Sequence, residues 1–525
     1  MRSILRLPLH ASKALAWILV IVVPTVGVWV ASSLAAYLNG PIWLACAAGL
    51  LLFPVFPIVW DLWATERWEK REARRKAAGK DARNRHLEFA DRLILRTFFL
   101  NVGFIVALFA TYPQAGFTAL ATRGDWFLDD VRSPRADVVR PLIFASAEKL
   151  EWVYEWSREN PYEAYKDDEP LPTPKPSEFG DSKVQPTPAP APVPVPTPAT
   201  DTQPTPDPKP GIEIVDLGAD GPEPPDPVKP RPVGHAPTWP LPAKLHPAVA
   251  QVPADVETSY ESVARYIGSK ESDPFLRIKA LNDYVADRVI YDVPALTASR
   301  RPAQDAKTVF ETRKAVCAGY SKLLKAMADV TGDEVVYVVG VSRERNGGVA
   351  GGGHAWNAAK IEGKWYLIDA TWNAGYVKDN RFVKQYETSY LFTPPEAFAQ
   401  SHFPDDEAWQ LLAEPISRGD FIRQPMLKPG FHSEGLVLVT PRRSQVDARN
   451  GVARVQIQNP KRVKVLANIE SNSTGEQRRC AVAGARDLRI TCEVGSSETF
   501  TLNVFAGSPK LRTFPLVGNF EVVAR

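Results

Sequence analysis

The chain has 525 residues, more than one ordinary hydrophobic core accommodates, so two or three folded units are expected. Its 63 basic and 60 acidic side chains give a net charge of +3, which does not indicate a nucleic-acid partner. Four cysteines exclude a disulfide-dense scaffold, and no pair has the C-x-x-C spacing of a zinc site, so we expect neither a metal nor another cofactor.

The N-terminal part predicts a membrane domain over residues 1–113 in contact with the lipid bilayer. Two apolar runs, residues 14–37 and 42–63, are each long enough to cross a bilayer and are separated by the turn sequence "NGP". A third run, residues 97–113, is shorter but also predicts a span. A cleaved signal peptide is the alternative interpretation of the first run, and the second run directly after it argues against that alternative.

A basic stretch, "ERWEKREARRKAAGKDARNRH", follows the second apolar run and predicts the orientation of the spans. Short loops rich in Lys and Arg remain on the cytoplasmic side of a membrane. With three spans and this loop inside, everything from about residue 114 onward lies outside the cytoplasm. The prediction is a multi-pass protein of the inner (plasma) membrane whose later domains are periplasmic.

Two segments without a core pattern follow the membrane domain. Residues 114–169 predict a polar, partly helical stalk that suggests no chemistry. Of the 48 prolines in the chain, 26 fall between Pro170 and Pro253, which predicts a Pro-rich linker over residues 170–253. At about 3.1 Å per residue, an extended polyproline tether of this length reaches up to roughly 250 Å. A ligand for aromatic-grooved domains is the alternative role.

Helical spacing resumes near residue 254 and opens a unit predicted over residues 254–432. Within it, the stretch "KAVCAGYSKLLKAM" places Cys317 in the first turn of an amphipathic helix. Unpaired backbone N–H groups and the helix dipole favour an anion at that position, so it suits a reactive thiolate. A small, buried structural cysteine is the alternative.

The runs "HAWNAAKI" and "KWYLIDAT" alternate like two strands, with Glu362-Gly363 between them as a two-residue turn. That turn places His354 and Asp369 on one sheet face as diagonal neighbours, whereas a three-residue turn would separate them. A carboxylate beside an imidazole fixes its tautomer and stabilises the imidazolium that a thiolate needs. The residues Cys317, His354 and Asp369 therefore predict a catalytic triad. The alternative is an ordinary hairpin that happens to carry a histidine and an aspartate.

At these residues the sequence resembles the transglutaminase-like superfamily, and most of all its kyphoscoliosis-peptidase-like branch. The motifs are "VCAGYSKLL", "GGGHAWNAAKIEGKWYLIDATWN", the upstream "VIYD" and the trailing "SYLFTPPEAFAQSHFPDDEAWQLL", within residues 255–430. The resemblance implies an α+β, papain-like core with Cys317 as nucleophile, His354 as general base and acid, and Asp369 as its orienting carboxylate. Ala315 departs from the glycine of many relatives, so the tightness of the turn before the cysteine stays open.

A site of this type attacks an amide carbonyl of a protein or peptide and forms an acyl-thioester. Water then gives a peptidase or hydrolase, which we favour, and an amine gives a cross-linker. The backbone N–H of Cys317 is the expected oxyanion donor. Trp356, Trp372 and Tyr320 are candidate substrate-binding residues, with a place in the core as the alternative, and His402 in "SHFP" is interpreted as structural. The alternative function is a catalytically silent scaffold that binds protein or cell-wall partners.

From residue 433 to residue 525, short alternating runs such as "VARVQIQN", "VKVLANIE" and "LRITCEV" predict a small all-β sandwich. Cys480 and Cys492 fall on what reads as two adjacent strands. In an extracytoplasmic domain they can form a disulfide, and two free buried thiols are the alternative. The domain carries no catalytic pattern, so we expect it to bind partners or to shield the core.

Overall fold

A computed structural model of the chain describes residues 6–38, 42–81, 87–128, 131, 134–158, 160–167, 170–180, 237–298, 301–343, 353–495 and 499–524. Three long apolar regions of helix form the N-terminal part: Arg6–Tyr37, Ile42–Leu50 continued through Leu51–Val55 into Phe56–Ala77, and Phe89–Thr111. Each has the length and composition needed to cross a membrane. The second and third helices extend beyond the predicted apolar runs because charged turns continue them.

A buried carboxylate lies where the second and third helices meet. Asp61 is 3% exposed and pairs with Arg92 at 2.9 Å and also with Arg96. Because an unpaired charge away from water is costly, the two guanidinium groups explain how the chain accommodates an aspartate at the end of an apolar run.

The predicted stalk is a packed layer rather than a free spacer. Its helices are Pro113–Arg123, Pro134–Glu148 and Glu151–Trp156. On one side, the indole of Trp29 in the first long helix donates to the carbonyl oxygen of Gly124 at 2.8 Å. On the other side, Arg443 of the C-terminal β domain pairs with Asp125 at 2.7 Å. Buried apolar side chains of this layer, such as Phe117, need these neighbours and explain the difference from the prediction.

The unit has the expected α+β class, with its helices packed against one five-stranded antiparallel sheet. Its longer helices are Tyr260–Lys270, Pro274–Arg288, Ala306–Thr312 and Cys317–Thr331. The strand order across the sheet is Leu391–Thr393, Lys364–Ile368, His354–Ile361, Glu334–Ser342 and His402–Pro404. Smaller elements are the helices Val293–Thr297, Ala370–Ala374, Pro395–Phe398 and Glu407–Gln410 and the hairpin Gly375–Lys378 with Arg381–Lys384. One buried apolar cluster joins the helix that begins at Cys317 to the sheet.

The two ends of the predicted Pro-rich linker, residues 170–180 and 237–253, are described by the structure. Residues 181–236, its central part, lie outside the described residues. Its two ends lie on the α+β unit: Phe179 forms an isolated parallel bridge with Trp365, and the indole of Trp239 donates to the carbonyl oxygen of Ser389 at 3.1 Å. Large apolar side chains among the prolines, including the buried Leu241, give these ends something to bury.

The C-terminal part is the predicted β-sandwich, but it begins before residue 433, because Met426–Leu427 already pairs with its last strand. One sheet has the order Val437–Thr440, Val452–Gln458, Asp487–Glu493 and Ala481–Ala483. The other has the order Met426–Leu427, Leu516–Ala524, Thr499–Gly507, Lys464–Ser471 and Gln477–Arg479, with Gln445–Ala448 parallel to Leu516–Ala524. Cys480 and Cys492 are joined by a disulfide.

Candidate active site

Cys317 is the first residue of the helix Cys317–Thr331 and is 1% exposed. The helix begins here because Val316 is extended, and its inward side chains, Tyr320 and Leu324 among them, are fully buried. The thiol thus lies in the first turn, beside backbone N–H groups without intrahelical partners. Just upstream, Ala315 pairs in a short parallel ladder, an extended conformation that alanine adopts as readily as glycine.

His354 and Asp369 are brought together by the predicted hairpin. Glu362 and Gly363 both have positive φ, 52° and 78°, as a two-residue type I′ turn requires. The strands pair in the register that this turn dictates, with Asn357 opposite Ile368. Asp369 itself leaves the sheet and caps the helix Ala370–Ala374, which aims its carboxylate at the His354 ring, with Oδ2 2.7 Å from Nε2.

The electrostatics of this pair favour the imidazolium form of His354. Burial alone would lower the pKa of His354, but the Asp369 carboxylate, together with charge and hydrogen-bond interactions with the Cys317 thiol, raises it to about 10. Burial alone would likewise raise the pKa of Asp369. The charge of the His354 ring and its hydrogen bond outweigh the effect of burial and hold the pKa of Asp369 well below its usual range. With Nε2 of His354 on the carboxylate, Nδ1 is the ring nitrogen left for the sulfur. A buried thiol beside an imidazolium is the arrangement that thiol catalysis requires.

His402, which the sequence analysis interprets as structural, contacts the same carboxylate. Its Nε2 lies 3.0 Å from Asp369 Oδ2, and its side chain is fully buried. The residue comes from the edge strand His402–Pro404, which pairs with Glu334–Ser342 through Ser342. The "SHFP" motif is visible in the sequence, but no local pattern shows that this strand pairs with Glu334–Ser342 at the edge of the sheet and brings His402 to Asp369.

Residues upstream of the linker cover the sulfur. We call residues 158 and 160–167 the covering segment, because Tyr162 and Tyr165 in it pack in one cluster with Cys317. Tyr162 is 1% exposed and packs in one buried cluster with Cys317; burial, with charge and hydrogen-bond interactions with that thiol, raises the pKa of Tyr162 far above its usual value. The segment is held by Asp405, which pairs with Arg158 at 2.6 Å and accepts from the Asn160 amide at 2.9 Å. No sequence signal linked this part of the predicted stalk to the thiol.

The three candidate substrate-binding residues have different positions. Tyr320 is fully buried and donates from its hydroxyl to the carbonyl oxygen of Val289 at 2.8 Å, so it belongs to the core. Trp356 is also fully buried, with its ring centroid 6.0 Å from that of His354. Trp372 is partly buried, and its ring centroid lies 5.8 Å from that of His354. Of the three, Trp372 alone has a position from which it can meet a substrate.

His354, Asp369 and His402 also form a group with metal-ligand chemistry, since one ligand atom from each lies within 4.8 Å of the others. In both histidines, however, Nε2 already faces the same carboxylate oxygen. A cation here would replace two hydrogen bonds and would take the imidazole that faces the thiol. The geometry therefore fits a hydrogen-bond relay better than a metal centre.

Two family models match successive parts of the chain. Residues 261–370 match the transglutaminase-like superfamily model, and residues 418–525 match the model of the KY-like, immunoglobulin-like domain. The kyphoscoliosis peptidases of Mus musculus and Homo sapiens are 33% and 32% identical over 189 residues, 35% of this chain. The chain spans 29% of the length of these relatives.

A solved structure titled as a TGase is 23% identical and covers 25% of this chain and 34% of its own, with a TM-score of 0.19. That score is too low to support any inference about the fold or the function. The likeness to known families rests on the two matched family models.

Proposed function

Because this chain carries a transglutaminase-like domain of the kyphoscoliosis-peptidase-like branch, followed by the matching immunoglobulin-like domain, we propose that it is a membrane-anchored cysteine enzyme. It acts on amide bonds of protein or peptide substrates through an acyl-thioester, and hydrolysis is favoured over cross-linking. The observation that supports the proposal is the buried hydrogen bond between Asp369 and His354, a ring whose pKa the Cys317 thiol helps to raise.

The proposed reaction assigns one role to each member of the relay. The Cys317 thiolate attacks the amide carbonyl, and the resulting oxyanion is met by the backbone N–H of Cys317. His354 then gives its proton to the leaving amine as the C–N bond breaks, which leaves an acyl-thioester. In the second half, His354 accepts a proton from water as the water attacks the thioester, and the acid and the free thiol are released. Asp369 keeps the ring oriented throughout.

The burial of Cys317 requires a conformational step before chemistry. A substrate carbonyl reaches the sulfur only after the Tyr162 ring has moved aside, because Tyr162 and the thiol are each 1% exposed. The same burial favours the second candidate function, a catalytically silent scaffold that binds protein or cell-envelope partners. Thiol reactivity distinguishes the two: an enzyme reacts with iodoacetamide at Cys317 at neutral pH, and a sealed scaffold does not.

We also propose that the α+β unit and the sandwich lie on the extracytoplasmic side. The proposal is supported by the basic loop between the second and third long helices, which favours the cytoplasm, and by the paired Cys480 and Cys492, which favour an oxidising compartment.

The test uses the full chain in detergent and a peptide library with a biotinylated primary amine. Mass spectrometry distinguishes new peptide termini, conversion of glutamine to glutamate, and amine adducts. We expect hydrolysed products that disappear in Cys317→Ala and persist in Cys46→Ala, the matched control at the other free cysteine of the described residues. Products that persist in Cys317→Ala would exclude the nucleophile role.

A further inference from the structure

His402, which we had interpreted as structural, shares a carboxylate oxygen with His354. We propose that His402 is a positioning residue of the relay: its ring N–H fixes Asp369 Oδ2 in the place from which that oxygen orients His354. The inference rests on the proposed function of Cys317, and the experiment below separates its failure from the failure of that function.

The four acceptor directions of the Asp369 carboxylate are all occupied. Oδ1 accepts from the backbone N–H groups of Thr371 at 2.9 Å and Trp372 at 3.1 Å. Oδ2 accepts from Nε2 of His354 at 2.7 Å and Nε2 of His402 at 3.0 Å. Because a carboxylate offers about four such directions, it cannot rotate without losing several hydrogen bonds at once.

Chemistry fixes the tautomer of His402. An ionised carboxylate only accepts, so Nε2 of His402 carries the proton, and Nδ1 is free to accept from the Ser401 hydroxyl 2.9 Å away. Burial lowers the pKa of His402 to about 4, despite the opposing effect of Asp369. At neutral pH the ring is therefore an uncharged donor. A second imidazolium would compete with His354 for the same negative charge, whereas a neutral N–H orients the carboxylate without that competition.

Packing holds the ring of His402 in the orientation in which its Nε2–H points at the Asp369 carboxylate. It stacks on Phe398 with ring centroids 3.9 Å apart, and Trp372 and Trp356 lie at 4.6 and 5.2 Å. The backbone is fixed by the pairing of His402 with Ser342. Without this donor, a fully buried carboxylate oxygen would keep a single partner, an arrangement that costs free energy unless the side chain moves. Such movement would displace the His354 ring from the sulfur.

The ionisable groups around the sulfur do not obscure a measurement near neutral pH. Tyr162, Tyr291 and Tyr337 face it, and burial raises the pKa of each far above neutrality. Arg301 lies over the Tyr162 ring. The pH dependence of thiol alkylation therefore reports on Cys317 and His354.

The experiment measures the rate of Cys317 alkylation by iodoacetamide across neutral pH in the full chain, in detergent and with Cys46→Ala as background. Three substitutions separate the donor from the packing. His402→Phe keeps an aromatic ring without a donor, His402→Gln has an amide N–H that can reach Asp369, and His402→Asn has the same amide one methylene short. His432→Phe is the matched control, because His432 is a buried histidine whose Nε2, unlike that of His402, has no hydrogen-bond partner among the described residues.

For the wild type we expect a rate that is flat across neutral pH, as an imidazolium-held thiolate gives. His402→Phe and His402→Asn lower the neutral rate by roughly ten- to a hundredfold and make it rise with pH like that of a simple thiol. His402→Gln recovers much of the wild-type rate, and His432→Phe leaves the profile unchanged.

A flat wild-type profile that all three His402 variants share would overturn the positioning role and leave the proposed function standing. A wild type without the flat region overturns both. Thermal unfolding of each variant identifies a folding defect. Should His402→Phe fail to fold, the Gln and Asn variants still decide, because they differ in reach and not in chemistry.

Discussion

Three cysteines of the chain are buried to a similar degree but have very different neighbours. Cys480 and Cys492 are 6% and 1% exposed and are joined across paired strands of the β-sandwich. Cys317 is 1% exposed and faces an imidazole on one side and a phenol on the other. Burial alone therefore does not make a thiol inert. The neighbouring side chain decides whether the sulfur is a cross-link, a packed apolar atom or a nucleophile.

The two sites also differ in how far along the chain their partners lie. The disulfide joins residues 12 apart, and the ladder Ala481 to Thr491 places the two sulfur atoms opposite one another. Cys317 meets His354 from a later strand and Tyr162 from the covering segment before the linker. The disulfide is a local contact and stabilises the β-sandwich alone. The contact between Tyr162 and Cys317 is remote in sequence and links the segment before the linker to the proposed active site.

The largest effect that tests this comparison is removal of the disulfide. We expect the double variant Cys480→Ala, Cys492→Ala to lower the unfolding free energy of the β-sandwich by about 2–4 kcal/mol, since a short loop loses its cross-link. Denaturant unfolding in detergent measures the change. Alkylation of Cys317 should keep its wild-type rate. A variant as stable as the wild type would show that the sandwich does not depend on the cross-link.

The next effect concerns the covering segment. Tyr162→Phe removes the hydroxyl that interacts with the Cys317 thiol, so we expect alkylation of Cys317 to become about three- to tenfold faster, the equivalent of one hydrogen bond. Tyr165→Phe is the matched control, because Tyr165 packs partly buried against the same cluster. Equal rates in Tyr162→Phe and wild type would mean that the hydroxyl does not restrain the thiol.

The part of the site that could be predicted depends on local patterns. Cys317 was predicted from one helix start, and the nearness of His354 to Asp369 from one two-residue turn, whose geometry the structure bears out. Both features involve short stretches in which backbone preference and side-chain spacing agree. The sandwich follows from the same kind of signal, whereas the α+β class of the core was expected from the resemblance to the transglutaminase-like superfamily.

The parts that could not be predicted depend on tertiary packing. His402 reaches Asp369 because its strand pairs at the far edge of the sheet, next to Glu334–Ser342, and sequence spacing does not encode that order. Tyr162 and Cys317 are separated in the sequence by the Pro-rich segment, whose composition predicts a linker between independent units. The polar sequence of the predicted stalk also gave no indication of its packing, because scattered apolar residues such as Phe117 are buried only against other elements.

The smallest effect concerns pH and distinguishes the two sulfur sites thermodynamically. Asp369 and Cys317 overcome the effect of burial and raise the pKa of His354 from 6.5 to about 10, so protonated His354 stabilises the folded chain. That stabilisation is fully present below pH 6.5 and is lost as pH rises through about 10. The disulfide does not titrate and contributes no slope in this window.

We therefore expect the Tm of the wild type to fall by about 2–4 °C more than that of His354→Gln between neutral and alkaline pH. His432→Gln is the control, because burial lowers the pKa of His432 to about 4 and its ring stays neutral over this window. Its Tm should therefore follow the wild type. If the Tm of wild type and of His354→Gln fell in parallel with rising pH, His354 would not be held as an imidazolium. The Cys317 site and the disulfide would then differ in packing alone.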